Sequence, residues 1–149
     1  MAERYEAGVD VTSGIRVMEC VVVTPEATAL QMHAQFVALP LYDGELGVAP
    51  GHSPFIGRLG YGELRVVENG KTVRYYVDGG FVQVADDVVS VLTNSAIPAE
   101  KLDAKTAAEH LAAARARKAN SPELLAIRDR AEQQARAQLR MAQHLGVAG

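Results

Sequence analysis

Tryptophan is absent from this chain of 149 residues, and phenylalanine and tyrosine together make up only 5% of it. A core built from such a composition has to be filled by aliphatic side chains, and platforms for stacking nucleic-acid bases are scarce. There is one cysteine, Cys20, so no internal disulfide and no cysteine cluster for a metal can form, a pattern that fits a reducing compartment. No apolar run approaches the roughly 18 residues of a membrane span. The first sixteen residues hold three acidic groups, Glu3, Glu6 and Asp10, and no apolar h-region, which argues against a secretion signal. These absences predict a soluble protein.

What is present is enough apolar material, 48%, for one sizeable core. The length suggests one domain, or a domain with a small appendage. Net charge is −3, unevenly spread: residues 1–100 hold six Lys/Arg against thirteen Asp/Glu, and residues 101–149 hold nine against five. An acidic body with a basic tail implies that the tail docks on the body or seeks an acidic partner; a solvated helical surface that happens to be basic would look the same.

Residues 1–16 mix charge, glycine and small side chains without a period and predict a flexible extension. Met18–Thr24 is β-branched and reads as a strand ended by Pro25. Leu30 to Phe36 alternates strictly, with Gln31, His33 and Gln35 on the wet side, so His33 reads as a surface histidine. Glu63–Glu68 and Lys71–Val77 flank Asn69-Gly70, the pair that accepts the positive φ values of a type I′ turn. That register sets Glu68 against Lys71, Val66 against Val73 and Leu64 against Tyr75. It also sets Arg65 against Arg74, tolerable only in water or against an acidic partner. Asp78-Gly79-Gly80 and Asp86-Asp87 mark further turns, before Phe81–Ala85 and Val88–Thr93. Short strands separated by turns predict an N-terminal β-sandwich or flattened barrel over residues 17–97.

Composition changes at Ala96-Ile97-Pro98. Residues 98–149 read as a C-terminal antiparallel two-helix hairpin, roughly Ala99–Lys118 and Pro122–His144, with Ser121 capping and Pro122 at the first position of the second helix. The fold class is therefore mainly β plus α. Ala104, Ala107, Ala108, Leu111 and Ala114 stripe the first helix; Leu124, Ile127, Ala131, Ala135, Leu139 and Ala142 stripe the second. Alanine buries little area, so at about 25 cal/mol per Å² such a hairpin is well formed but weakly anchored.

Catalytic patterns fail on inspection. Gly70-Lys71-Thr72 would end a phosphate-binding loop only if residue 65 were glycine and a helix followed, and neither holds. Gly51-His52-Ser53 lacks the second glycine of a nucleophile elbow. His33, His52, His110 and His144 are scattered without metal-ligand spacing, and Cys20 sits in an apolar strand, where packing is the default. A nucleic-acid partner is disfavoured by the acidic balance and by Glu109, Asp129 and Glu132 within the basic tail.

The densest punctuation lies in Asp43–Pro54, where five of twelve residues are Gly or Pro. Such a run breaks helices and permits at most a short extended piece at Glu45–Val48. Gly44-Glu45-Leu46-Gly47 followed by Pro50-Gly51-His52-Ser53-Pro54 resembles the signature of the ε subunit of F-type ATP synthases. Gly60-x-Gly62, Asp78-Gly79-Gly80-Phe81 and Leu102-Asp103 agree with it, and the resemblance covers residues 17 to about 145.

The resemblance implies a non-catalytic central-stalk rotor subunit that joins the γ subunit to the membrane c-ring, coupling proton or sodium flow to ATP synthesis. It implies rotor contact through Gly44, Glu45, Leu46, Gly47, Pro50, Gly51 and His52, with Glu45 and His52 foremost; satisfying the loop's own backbone is the structural alternative for both. It implies a hairpin that can dock against the sandwich or extend alongside γ into the α/β catalytic hexamer, where Arg115, Arg117, Lys118, Arg128, Arg136 and Arg140 meet an acidic loop of the β subunits and hydrolysis is inhibited. These side chains can equally pair along their own helix, as Arg128–Glu132 and Glu132–Arg136. Some members bind ATP on the hairpin through [IL]-D-x-x-R-A. Asp103 matches, but Thr106 stands for the arginine and Lys105 points about 100° away, so no cofactor is expected. The implied place is the cytoplasmic face of a bacterial inner membrane, or an equivalent energy-transducing membrane, reached only through the complex. A coupling adaptor with an inert tail is the alternative; an enzyme on a β-sandwich would need activity from the isolated chain.

Overall fold

The Asn69-Gly70 turn forms with φ of 51° and 77° and closes the longest hairpin of the molecule, Phe55–Glu68 (β7) with Lys71–Ala85 (β8). Glu68 faces Lys71, Val66 faces Val73 and Leu64 faces Tyr75, the register expected from the turn alone. The computed structural model describes residues 5–6, 9–10 and 16–144. Within the expected flexible extension, Tyr5–Glu6 (β1) pairs antiparallel with Val9–Asp10 (β2), and the rest of residues 1–15 lies outside the described residues.

Around the long hairpin the remaining strands are Met18–Val23 (β3), Thr28–Ala34 (β4), Phe36–Leu41 (β5), Gly44–Val48 (β6), Val88–Leu92 (β9) and Ala96–Pro98 (β10). Among the described residues they form one eight-stranded sheet, ordered β4-β3-β9-β8-β7-β5-β6 with β10 also on β8. β3 and β9 run parallel; the other pairs are antiparallel. The outermost strands β4 and β6 do not pair with each other, so the sheet is an open sandwich.

Valine dominates its core, with Val22, Val37, Val48, Val66, Val77, Val82, Val84, Val89 and Val91 fully or nearly fully buried beside Met18, Leu39, Leu59 and Leu64. Each such side chain contributes about 1.5–3 kcal/mol relative to exposure. The sheet folds over where strands pass closely. Gly80 has φ of 105°, and a Cβ there would stand 1.9 Å from the Leu92 carbonyl oxygen. No other residue fits.

The alternation from Leu30 to Phe36 crosses two strands instead of filling one. The break falls at Gln35, whose side chain accepts from the Asn69 N–H at 3.0 Å and donates to the Asn69 side chain at 3.4 Å. Phe36 then turns outward over Gly47, where a Cβ would come within 2.8 Å of its ring.

After a 3-10 turn at Ala99–Lys101 the helices are Ala104–Ala116 (α1) and Pro122–His144 (α2). α1 starts later than composition suggested because Asp103 caps it, accepting from Lys105 N–H at 3.1 Å. Ser121 Oγ accepts from Leu124 N–H at 3.2 Å and opens α2 as expected. Ala107, Leu111 and Ala114 of α1 are buried, and Ala108 is not; on α2 the buried side chains are Ala135, Ala137, Met141 and Ala142.

Candidate functional site

Ala49 to His52 folds as a tight turn. The His52 N–H donates to the Ala49 carbonyl at 3.1 Å, Pro50 sits at the position whose φ proline supplies, and Gly51 takes φ of 85°. Proline then glycine at the two central positions is the type II signature. The turn does not stand alone: the Gly51 N–H donates to Asp87 Oδ1 at 2.7 Å, and Arg16 donates to Asp87 Oδ2 at 2.8 Å. Asp87 belongs to the Asp86-Asp87 turn between β8 and β9, so that turn, the 49–54 loop and the start of β3 share one rim of the sandwich. His52 is half-buried, its Nδ1 2.7 Å from the Ser53 carbonyl oxygen and its ring edge-on to Phe55.

Gly44-Glu45-Leu46-Gly47 is not part of that turn. It is the edge strand β6, paired with β5 so that Glu45 faces Pro40 and Leu46 faces Leu39. At about 3.3 Å per residue its two ends are about 13 Å apart, which sets Glu45 and His52 at opposite ends. Glu45 pairs with Arg65 at 3.2 Å, and Glu63 accepts from both Arg65, at 3.2 Å, and Arg74, at 3.3 Å. Of the two settings expected to tolerate the Arg65–Arg74 pairing, water or an acidic partner, the chain supplies the second from its own residues. The hydrogen bond to Glu63 above all, opposed by burial and supported by Glu45, holds the Arg65 guanidinium above its ordinary pKa.

A second surface lies on the outer face of β3, β9, β8 and β7. Val23 faces Leu92, Leu92 faces Phe81, and Phe81 faces Arg58 across neighbouring strands. Phe81 is 60% exposed and Leu92 55%. Arg58 stacks over the Tyr42 ring at 4.6 Å. This row forms one wall of a valley of about 1330 Å³ whose other wall is α2, at Ala126, Asp129, Arg130 and Gln133. Sequence periodicity flagged these residues only as strand positions; their signal was apolar side chains on the wet phase of the alternation.

The basic residues of the tail do not form one patch. Arg115, at 3.4 Å, and Arg136 converge on Glu132; Arg128 is not among its partners, and the Arg128 Nε is buried without one. Arg117 and Lys118 are exposed in the connection between the helices, whereas Arg140 lines a cleft of about 260 Å³ with Glu45, Glu63 and His144. Because Arg115 is level with Glu132, the first ten residues of α2, about 15 Å, overhang the end of α1. The overhang leaves Leu124, Leu125 and Ile127 exposed, so the stripe expected on α2 is buried only in its later half. Asp103 is engaged in its own cap: Thr106 donates to Asp103 Oδ2 at 2.8 Å.

Residues 17–99 match the family described as ATP synthase, Delta/Epsilon chain, beta-sandwich domain. The chain is 54% identical over 123 residues to an ATP synthase epsilon chain of Rhodopirellula baltica, covering 83% of this chain and 96% of that one. The chain belongs to the ATP synthase delta/epsilon family. It is 43% identical over 82 residues to the epsilon chain of Desulfitobacterium hafniense, covering 55% of this chain and 62% of the relative. Its fold matches a chain in the Euglena gracilis mitochondrial ATP synthase, determined with OSCP, F1 and c-ring in a rotational state. That match has TM-score 0.76 and 28% identity, and covers 86% of this chain and 82% of the other.

An epsilon chain is a non-catalytic subunit of ATP synthase, and this chain is of that type. The family match spans both the rim turn and the exposed row, and stops before the helices. Among the described residues no helix is long and apolar enough to cross a membrane.

Proposed function

We propose that the chain is the rotor subunit of the central stalk that joins the γ subunit to the c-ring and so couples ion flow to ATP synthesis. Residues 17–97 act as the rotor-contact domain and residues 98–149 as the regulatory one. The observation that carries this reading is the rim turn at Pro50-Gly51-His52, fixed by a carboxylate from another strand pair. A surface loop held in one conformation loses little entropy when it meets a partner, which is what a contact under repeated rotary load requires. His52 meets the polar loops of the c-ring there, with Glu45, Leu46 and the glycines of β6 along the adjoining edge.

The γ subunit occupies the outer face at Val23, Leu92 and Phe81. Adjacent apolar side chains this exposed mark interaction surfaces in soluble proteins. The subunit reaches the cytoplasmic face of the bacterial inner membrane, or its equivalent, only through these partners, and no nucleotide or other cofactor is assigned to it.

The hairpin inhibits hydrolysis by extending toward the α/β hexamer. The overhanging turn of α2 supports this, since Leu124, Leu125 and Ile127 beside Arg117 and Lys118 offer an apolar and basic tip, with Arg115, Arg128, Arg136 and Arg140 behind it. A second reading, a coupling adaptor with an inert tail, is favoured by the way α2 is seated: Ala137, Met141 and Ala142 are buried with Tyr76 and Leu102. The experiment for the coupling claim is reconstitution of ATP synthase lacking this subunit, with the full chain added back. Restored ion pumping per ATP hydrolysed supports it. Unchanged pumping, or failure of Phe81→Asp to weaken binding to γ, contradicts it.

A further inference from the structure

The sheet contains two tight turns with both central residues at positive φ, and they differ in a telling way. Asn69-Gly70 uses the pair that tolerates this geometry best. Asp86-Asp87 takes φ of 51° and 60° with two adjacent carboxylates and no glycine. Local turn chemistry alone favours glycine at the second position, and two neighbouring negative charges add repulsion. What the Asp87 side chain gains in return is long-range: Gly51 N–H at 2.7 Å on one oxygen, Arg16 at 2.8 Å on the other. The carboxylate is only 12% exposed. Hydrogen bonds to an ionised acceptor in such a setting are the stronger kind.

Arg16 closes the arrangement from the other side. A Cβ at Gly51 would lie 3.2 Å from the Arg16 guanidinium, so the side chain lies against the glycine while pairing with Asp87. The Asp87 backbone carbonyl also accepts from Glu19 N–H at 2.9 Å, tying the turn to the first residues of β3. Three segments far apart in sequence thus meet at one peptide, the one between Pro50 and Gly51.

We propose that Asp87, assisted by Arg16, is a positioning residue for the rotor contact: it fixes the Pro50-Gly51 peptide and thereby the direction in which His52 is presented. This rests on the reading of the rim turn as the c-ring contact. Arg16 immediately precedes residue 17, where the family match begins, so part of the positioning device lies outside the shared domain. The carboxylate at 87 sets the loop; the loop makes the contact.

The test uses Asp87→Gly, Asp87→Asn and His52→Ala in the full chain. Glycine keeps the turn and removes the carboxylate; asparagine also suits positive φ and keeps one acceptor for Gly51. Two quantities are read: amide exchange of Gly51 in the free subunit, and ions pumped per ATP hydrolysed in the reassembled complex. For Asp87→Gly we expect a melting temperature at or above that of the parent, Gly51 exchange about tenfold faster, and lowered pumping, with Asp87→Asn recovering part of both. A purely structural role would instead lower the melting temperature and leave pumping per ATP unchanged. Unaltered Gly51 exchange, or unaltered pumping with Asp87→Gly while His52→Ala lowers it, overturns the proposal. If Asp87→Gly lowers pumping and His52→Ala does not, positioning of the turn stands and the His52 contact fails. If neither lowers it, both fail.

Discussion

Gln134 of α2 donates to Asp78 Oδ1 at 2.8 Å, and the same oxygen accepts the Tyr76 hydroxyl at 2.9 Å. Asp78 is itself fixed, its N–H donating to Thr93 Oγ1 at 2.9 Å. Here a polar pin holds an alanine-rich helix to the sandwich, where apolar burial is too small to do so firmly.

Gln134→Ala removes that pin. A hydrogen bond to a carboxylate has a net worth of about 1.5–3 kcal/mol. Docking of the hairpin should weaken by that amount while the melting of the sandwich is unchanged. Proteolysis within residues 117–121 and amide exchange along α2 read the first; exchange in β7 and β8 reads the second. Burial first, then the Asp78 charge, raises the Tyr76 phenol above its ordinary value of 10. The stability it lends is complete below that value and is lost as the pH rises beyond it, so docking weakens in strongly alkaline solution.

Asp103 opens α1, and its carboxyl pKa is lowered by the Thr106 hydroxyl, with further help from the Lys105 N–H. A lowered folded value means the contribution is present above the unfolded aspartate pKa and fades as the pH falls toward the folded one. Asp103→Ala should unwind the first turn of α1 at neutral pH, and the parent should lose the same helicity on acidification. Circular dichroism of both chains against pH checks this.

Gly80→Ala combines a positive φ with a Cβ 1.9 Å from a backbone carbonyl oxygen. Strain and clash together should cost more than about 3 kcal/mol. Denaturant unfolding of the variant is the measurement; a loss below 1 kcal/mol would mean that the β8–β9 approach is looser than described.

Cys20 is buried in β3, and burial pushes its thiol up to about 12. Thiolate is the reactive form. Alkylation near pH 8 should therefore be slow in the native protein and become fast on unfolding.

The hairpin at Asn69-Gly70 was legible because a two-residue turn dictates register, and the second helix because Ser121-Pro122 marks its start. The Arg65–Arg74 pairing left water or an acidic partner open, and the acid is Glu63, two residues from Arg65 on the same strand. The parallel β3–β9 pairing was not legible, since nothing local encodes a contact across some seventy residues. For the same reason the loop signature at 43–54 was visible and the residue that holds it, Asp87, was not. The overhang of α2 escaped the apolar stripe because periodicity reports a helical face, not where its partner helix ends.

The regulatory half of the account is tested most directly by ATP hydrolysis in the assembled complex, comparing the full chain with one stopped after Leu102, which keeps the residues packed on Tyr76. With the shortened subunit still bound, the account predicts a marked rise in hydrolysis. Equal rates would contradict an inhibitory hairpin and leave the chain a coupling adaptor.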